Sequence, residues 1–217
     1  MTVFNRLLKA GILMCLALVF SQKDCIAQMP TIDSSAAKAA MMPGNGSLKV
    51  SVKFKGDLRG LSSLAGGYTG SNCTVILYPA SAYFNEWMEV TNQVDKAFLK
   101  HRKDYDQGRY KELLQRFQTM KKNLNNYARS ITTDGYGEGV FNNLKQGKYV
   151  LLAYPNGITH SGDGYHSGGT GRWEHWESVS YYRVMAEVDI PAGSQQTKVT
   201  MRKSSLIEKQ VQTSDFQ

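Results

Sequence analysis

From Leu48 the chain alternates strictly, with Leu48, Val50, Val52 and Phe54 apolar and Lys49, Ser51, Lys53 and Lys55 polar. A two-residue period predicts a half-buried strand whose outer face is wet and basic. Glycines at 56, 60, 66, 67 and 70 then predict a loop. A second strand follows over Cys73 to Tyr78 and ends at Pro79, which cannot donate to a ladder. From Ala82 to Ser130 the period becomes helical. Trp87, Val94, Phe98, His101 and Tyr105 recur at steps of seven, four, three and four. Tyr110, Leu113, Phe117, Met120, Leu124 and Tyr127 recur at steps of three and four. Two amphipathic helices with a coiled-coil-like seam are expected, broken near Asp106-Gln107-Gly108 and folded back as an antiparallel pair.

Two-residue rhythm returns between Thr132 and Ala153, which read as turn, strand, tight turn, strand. Asp134-Gly135, Gly137, Gly139 and Gly147 supply the punctuation. The residues Thr133, Asp134, Gly137, Phe141, Asn143, Leu144, Gly147, Tyr149, Leu151 and Ala153 follow the pattern T-D-x-x-G-x-F-x-F-x-N-L-x-x-G-x-Y-x-L-x-A closely. In this the stretch resembles the carboxypeptidase regulatory-like domains, which are transthyretin-like β-sandwiches. Where that family usually has a proline pair, this chain has Lys145-Gln146. The resemblance implies a mainly β chain, an antiparallel transthyretin-like β-sandwich of about seven strands between Ser47 and Lys203. It implies little about chemistry, because such scaffolds carry many roles.

Beyond the hairpin, Tyr154 to Glu177 is glycine-rich and without period, and is read as a long loop. Tyr182, Val184, Ala186, Val188 and Ile190 alternate again, Pro191-Ala192-Gly193 breaks the run, and Thr197, Val199 and Met201 make a last short strand. The expected organisation is therefore a signal peptide over 1–27, a flexible linker over 28–46, a sandwich domain over 47–203 with a helical hairpin inserted at 82–130, and a polar tail over 204–217. The signal-peptide reading rests on basic Arg6 and Lys9, the apolar run Ala10 to Phe20, and Cys25-Ile26-Ala27 before the cut. Eleven apolar residues are too few to span a bilayer, so no transmembrane span is expected after cleavage.

That expectation changes the charge and cysteine picture. The whole chain carries +8; Arg6, Lys9 and Lys23 against Asp24 take away +2, leaving +6 on the mature chain. Cys15 and Cys25 fall inside the removed segment, so Cys73 alone remains and no internal disulfide framework is expected. An exported basic protein points away from nucleic acid and toward an envelope protein, an anionic polysaccharide or lipid headgroups. Lys100, Arg102, Lys103, Arg109, Lys121 and Lys122 on the helical insertion form a candidate partner surface, against the simpler reading of a solvated helix face.

Candidate chemistry gathers in the loop 157–177. His160, His166 and His175 are candidate metal ligands, although spacings of six and nine match no common metal motif. Tyr165, Trp173 and Trp176 with Arg172 are candidate ligand-binding residues, aromatic faces suited to sugar rings. No nucleophile elbow, H-E-x-x-H or phosphate loop is present, so no catalytic residue and no cofactor is expected. The leading expectation is a non-enzymatic exported binding module of the cell envelope; the alternative is a metal-dependent or other hydrolase working through the same loop.

Overall fold

The computed structural model describes residues 31–54, 68–100, 110–166, 172–193 and 196–215, with the backbone alone at 160, 162–166, 172–174 and 211–215. The chain divides into Met1–Thr31 and Ile32–Gln217, and the fold described is that of the second unit. Its elements are α1 (Ser34–Met41), β1 (Gly46–Phe54), β2 (Tyr68–Thr69), β3 (Thr74–Pro79), α2 (Ala82–Lys100), α3 (Lys111–Asn125), β4 (Arg129–Thr132), β5 (Glu138–Leu144), β6 (Gly147–Tyr154), β7 (Ile158–His166), β8 (Arg172–Ile190), β9 (Gln196–Met201) and β10 (Lys203–Asp215). The chain is mainly β, with two antiparallel-rich sheets. About seven strands were expected and ten occur among the described residues.

In the four-stranded sheet β1 is central. It pairs antiparallel with β5 and, at its end, with β2, and parallel with β9. The six-stranded sheet runs β10-β8-β6-β3-β4, with β7 also on β8. Leu48, Val50, Val52 and Phe54 of β1 meet Val75, Leu77, Tyr149, Leu151, Ala153, Tyr182 and Val184 of the larger sheet in one buried core. The alternating side chains of β1 thus all reach the same apolar layer.

A second core lies on the other face of the larger sheet. Tyr78, Val150 and Leu152 pack there against Tyr83, Phe84, Trp87, Val90, Met120 and Leu124 of the helices. Strand β6 is therefore buried on both faces, with Tyr149, Leu151 and Ala153 toward one core and Val150 and Leu152 toward the other. A strand covered twice reads as a continuous apolar run, and Tyr149-Val150-Leu151-Leu152-Ala153 is one. The molecule has three layers: small sheet, large sheet, helix pair.

The helices do fold back on each other. Trp87 and Phe117 stack with ring centroids 6.0 Å apart, Arg116 pairs with Glu86, and Asn123 Nδ2 donates to the Tyr83 hydroxyl at 3.1 Å. Early α2 against late α3 makes the pair antiparallel. It does not form a projecting coiled-coil arm, however: a stripe wider than the heptad seam, including Tyr83, Phe84, Val90 and Thr91, is buried against the sheet. His101 and Tyr105 lie outside the described residues. The hairpin links β3 to β4, which pair directly, so the insertion leaves the ladder between them intact. Arg129 and Ser130, expected at the end of the insertion, belong to β4.

Two segments expected to lack structure are ordered. Within 28–46, residues Ser34–Met41 form α1, because Asp33 Oδ1 accepts from the Ser35 and Ala36 amides at 3.1 and 3.0 Å and so caps the helix. Those bonds, the Ala36 amide first, hold the Asp33 carboxyl below its ordinary value. The presumed polar tail 204–217 is largely β10, paired with β8 from Lys203↔Met185 to Asp215↔Glu174. The edge of β8 supplies backbone partners that the polar composition of the segment does not advertise.

Candidate functional site

The described residues of the segment expected as a loop over 157–177 instead form a β-ladder. Strand β7 pairs with the first half of β8, from Ile158↔Ser180 to His166↔Arg172, while β6 pairs with the second half, from Ala153↔Val184 to Gly147↔Ile190. Five residues separate Ala153 from Ile158 and four separate Val184 from Ser180, so β6 and β7 form one line with a single extra residue between them. Pro155 is buried in this step. Gly157 is required there, because a Cβ would stand 2.4 Å from Val179 Cγ1 and 2.9 Å from Tyr181 Cε1.

Strand β8 has 19 residues, about 60 Å at ~3.3 Å per residue. Flanked by β7 and β10 it makes a three-stranded arm continuing the larger sheet. Ser178 and Ser180 are buried where the arm leaves the body, and Trp176 beyond them is 38% exposed. Across the ladder Trp176 lies opposite Gly162 of β7 and Thr213 of β10. Tyr165 and Trp173 occupy directly opposed positions, and His166 lies opposite Arg172. Trp173 and Trp176 stand an odd number of positions apart, which assigns them to opposite faces of a pleated ladder.

The candidate metal ligands are not brought together. His160 is opposite Ser178, His166 opposite Arg172, and His175 opposite Asp163. Six residues of strand put about 20 Å between the His160 and His166 positions, too far to share an ion. Among the described residues no group of three His, Cys, Asp or Glu side chains is placed to hold a metal.

The candidate partner surface is likewise divided. Lys100 ends α2, while Lys121 and Lys122 are near the end of α3, and all three are exposed. In an antiparallel pair these ends are separated by about 25 Å of helix. Lys121 Nζ sits 5.8 Å from the centre of the Phe117 ring. Arg102, Lys103 and Arg109 lie outside the described residues.

The motif that carries the family resemblance is occupied by structural work. Thr133 Oγ1 donates to the Gly70 carbonyl at 2.7 Å and accepts from the Cys73 amide at 2.9 Å, closing the turn before β3. Asp134 Oδ1 accepts from the Tyr136 and Glu138 amides at 2.9 and 2.8 Å. The Tyr149 hydroxyl lies 2.8 Å from both the Lys145 and Ala40 carbonyls, tying α1 to the β5–β6 turn. Cys73 is buried, and burial pushes its thiol up, away from the reactive thiolate.

The most polar buried group lies between α2 and the larger sheet. Arg183, 4% exposed, donates to Asp95 Oδ2 at 2.7 Å and to Asn92 Oδ1 at 2.8 Å. Burial pushes the Asp95 carboxyl up, and the Arg183 cation offsets part of that rise. Every group of the cluster has a partner, so it reads as an anchor for α2.

No family model matches the chain, and no curated protein matches it significantly. Among solved structures it is similar to a Pseudomonas aeruginosa protein described provisionally as carbohydrate-binding. The identity is 19%, over 81% of this chain and 100% of that one, with a TM-score of 0.47.

Proposed function

We propose that this chain is an exported, non-catalytic binding module of the cell envelope, a transthyretin-like sandwich of the carboxypeptidase regulatory-like type, whose ligand is a glycan held on the β7–β8–β10 arm. The observation that carries this reading is the exposed indole of Trp176 on a regular ladder, with polar neighbours on its own strand. The flat apolar face of the indole matches the apolar face of a sugar ring while polar neighbours take the hydroxyls. The export reading is supported by the basic start, short apolar run and Ala27 boundary of the sequence.

A glycan array probed with the purified protein and with Trp176→Ala tests the proposal. Binding to a subset of neutral oligosaccharides, weakened about tenfold or more in the variant, is the expected outcome. An array without hits for the wild type, or equal binding by both proteins, overturns it.

A further inference from the structure

The outer face of the four-stranded sheet is a second, chemically different surface. The inward residues of β1 fill the core, so Lys49, Ser51 and Lys53 point outward. The parallel register sets Lys198 beside Lys49 and Thr200 beside Ser51. On the other side Glu138 of β5 is opposite Ser51, and its Oε2 lies 2.6 Å from Lys49 Nζ. Together these residues line a shallow open groove of about 290 Å³.

Like charges on neighbouring strands repel, and Glu138 neutralises only one of the three lysines. Lys53 and Lys198 are exposed and make no ion pair among the described residues. Lys49 and Lys53 are separated by about 13 Å of strand, with the small hydroxyl residues Ser51 and Thr200 forming the floor between the flanking ammonium groups. The volume is near the lower end of the usual range for ligand clefts, enough for a sugar unit.

We infer that this groove binds a carboxylate-bearing polysaccharide, a polyuronate chain lying across β9, β1 and β5. The uronate carboxylates meet Lys53 and Lys198, and the ring hydroxyls bond Ser51, Thr200 and the free oxygen of Glu138. With Glu138 paired to Lys49, two uncompensated ammonium groups remain, which suits a polymer with one carboxylate per sugar better than a phosphate-dense partner such as nucleic acid. The apolar side chains at the groove are two valines, half-buried Val199 and Val140 beside Glu138, with no aromatic or long aliphatic group for insertion into lipid, which disfavours a membrane surface. The site is independent of the glycan contact proposed for the arm.

Isothermal titration of the purified full chain with an oligogalacturonate, with a neutral oligoglucoside of equal length and with phosphatidylglycerol vesicles tests the inference. The wild type is expected to bind the oligogalacturonate, less tightly as salt rises, and Trp176→Ala, which lacks the arm contact, is expected to bind it more tightly than the other two. Lys53→Ala/Lys198→Ala is expected to weaken that binding about tenfold. Lys53→Arg/Lys198→Arg is expected to keep it, and Trp176→Ala to leave it unchanged, which separates this groove from the arm. The inference is overturned if the wild type does not bind the oligogalacturonate, if the alanine pair binds as well as wild type, if Trp176→Ala abolishes binding, or if Trp176→Ala binds vesicles or the neutral sugar as tightly as the oligogalacturonate.

Discussion

Tyr78 shows how far burial changes a single residue. It is 1% exposed, its ring lies 5.4 Å from Phe84 and 5.9 Å from Trp87, and its hydroxyl donates to Asn125 Oδ1 at 3.2 Å. Desolvation pushes its phenol up to about 12 from 10.0. Because the folded value is the higher one, the unfolded chain ionises first. The stabilising contribution is therefore complete below pH 10 and lost as pH rises through about 12. Urea titrations across that window should show the wild type losing on the order of 2 kcal/mol more than Tyr78→Phe; equal losses would contradict the burial described. Some loss remains in the variant, since burial also raises Tyr149 and Tyr154. At this scale the sequence was legible where a role is local. The Asp134 turn could be read from Asp-Gly spacing, whereas the bond between Thr133 and Cys73, sixty residues apart, could not.

Among the elements, the helix pair was visible from its period, but its destination was not. A heptad seam suggested two helices satisfied by each other. The buried stripe on α2 is broader than such a seam, and the five-residue apolar run in β6 called for cover on both faces. Arg183 and Asp95 fix the resulting contact. Removing one member of a buried pair leaves the other charge without compensation, so Asp95→Ala should cost about 3 kcal/mol in urea unfolding, and adding Arg183→Met should recover much of that loss. A double variant as unstable as Asp95→Ala would show that the pair is not what couples α2 to the sheet. The strands of the arm escaped the sequence reading for a related reason. Glycines at 157, 162 and 164 look like loop punctuation, yet Gly157 is there because β8 side chains leave no room for a Cβ.

For the molecule as a whole, two sheets and a helix layer account for nearly every apolar residue the alternation singled out, and leave two surfaces over: the aromatic arm and the lysine face of the small sheet. Among the described residues no helix is long and apolar enough to cross a membrane. The lysines expected as one surface on the helices stand at the two ends of the pair, and Lys49, Lys53 and Lys198 gather instead on the outer face of β1 and β9. Counting along the chain cannot see this, because Lys49 and Lys198 become neighbours only through a parallel pairing of the first and ninth strands. The aromatic arm requires the glycine-rich and C-terminal segments to be rigid strands on either side of β8. Amide hydrogen exchange on the purified protein measures that directly. Protection of Ile158–His166 and Lys203–Asp215 comparable to that of β8 is the expected result; exchange of either segment at the rate of an unstructured peptide would contradict the arm and the function placed on it.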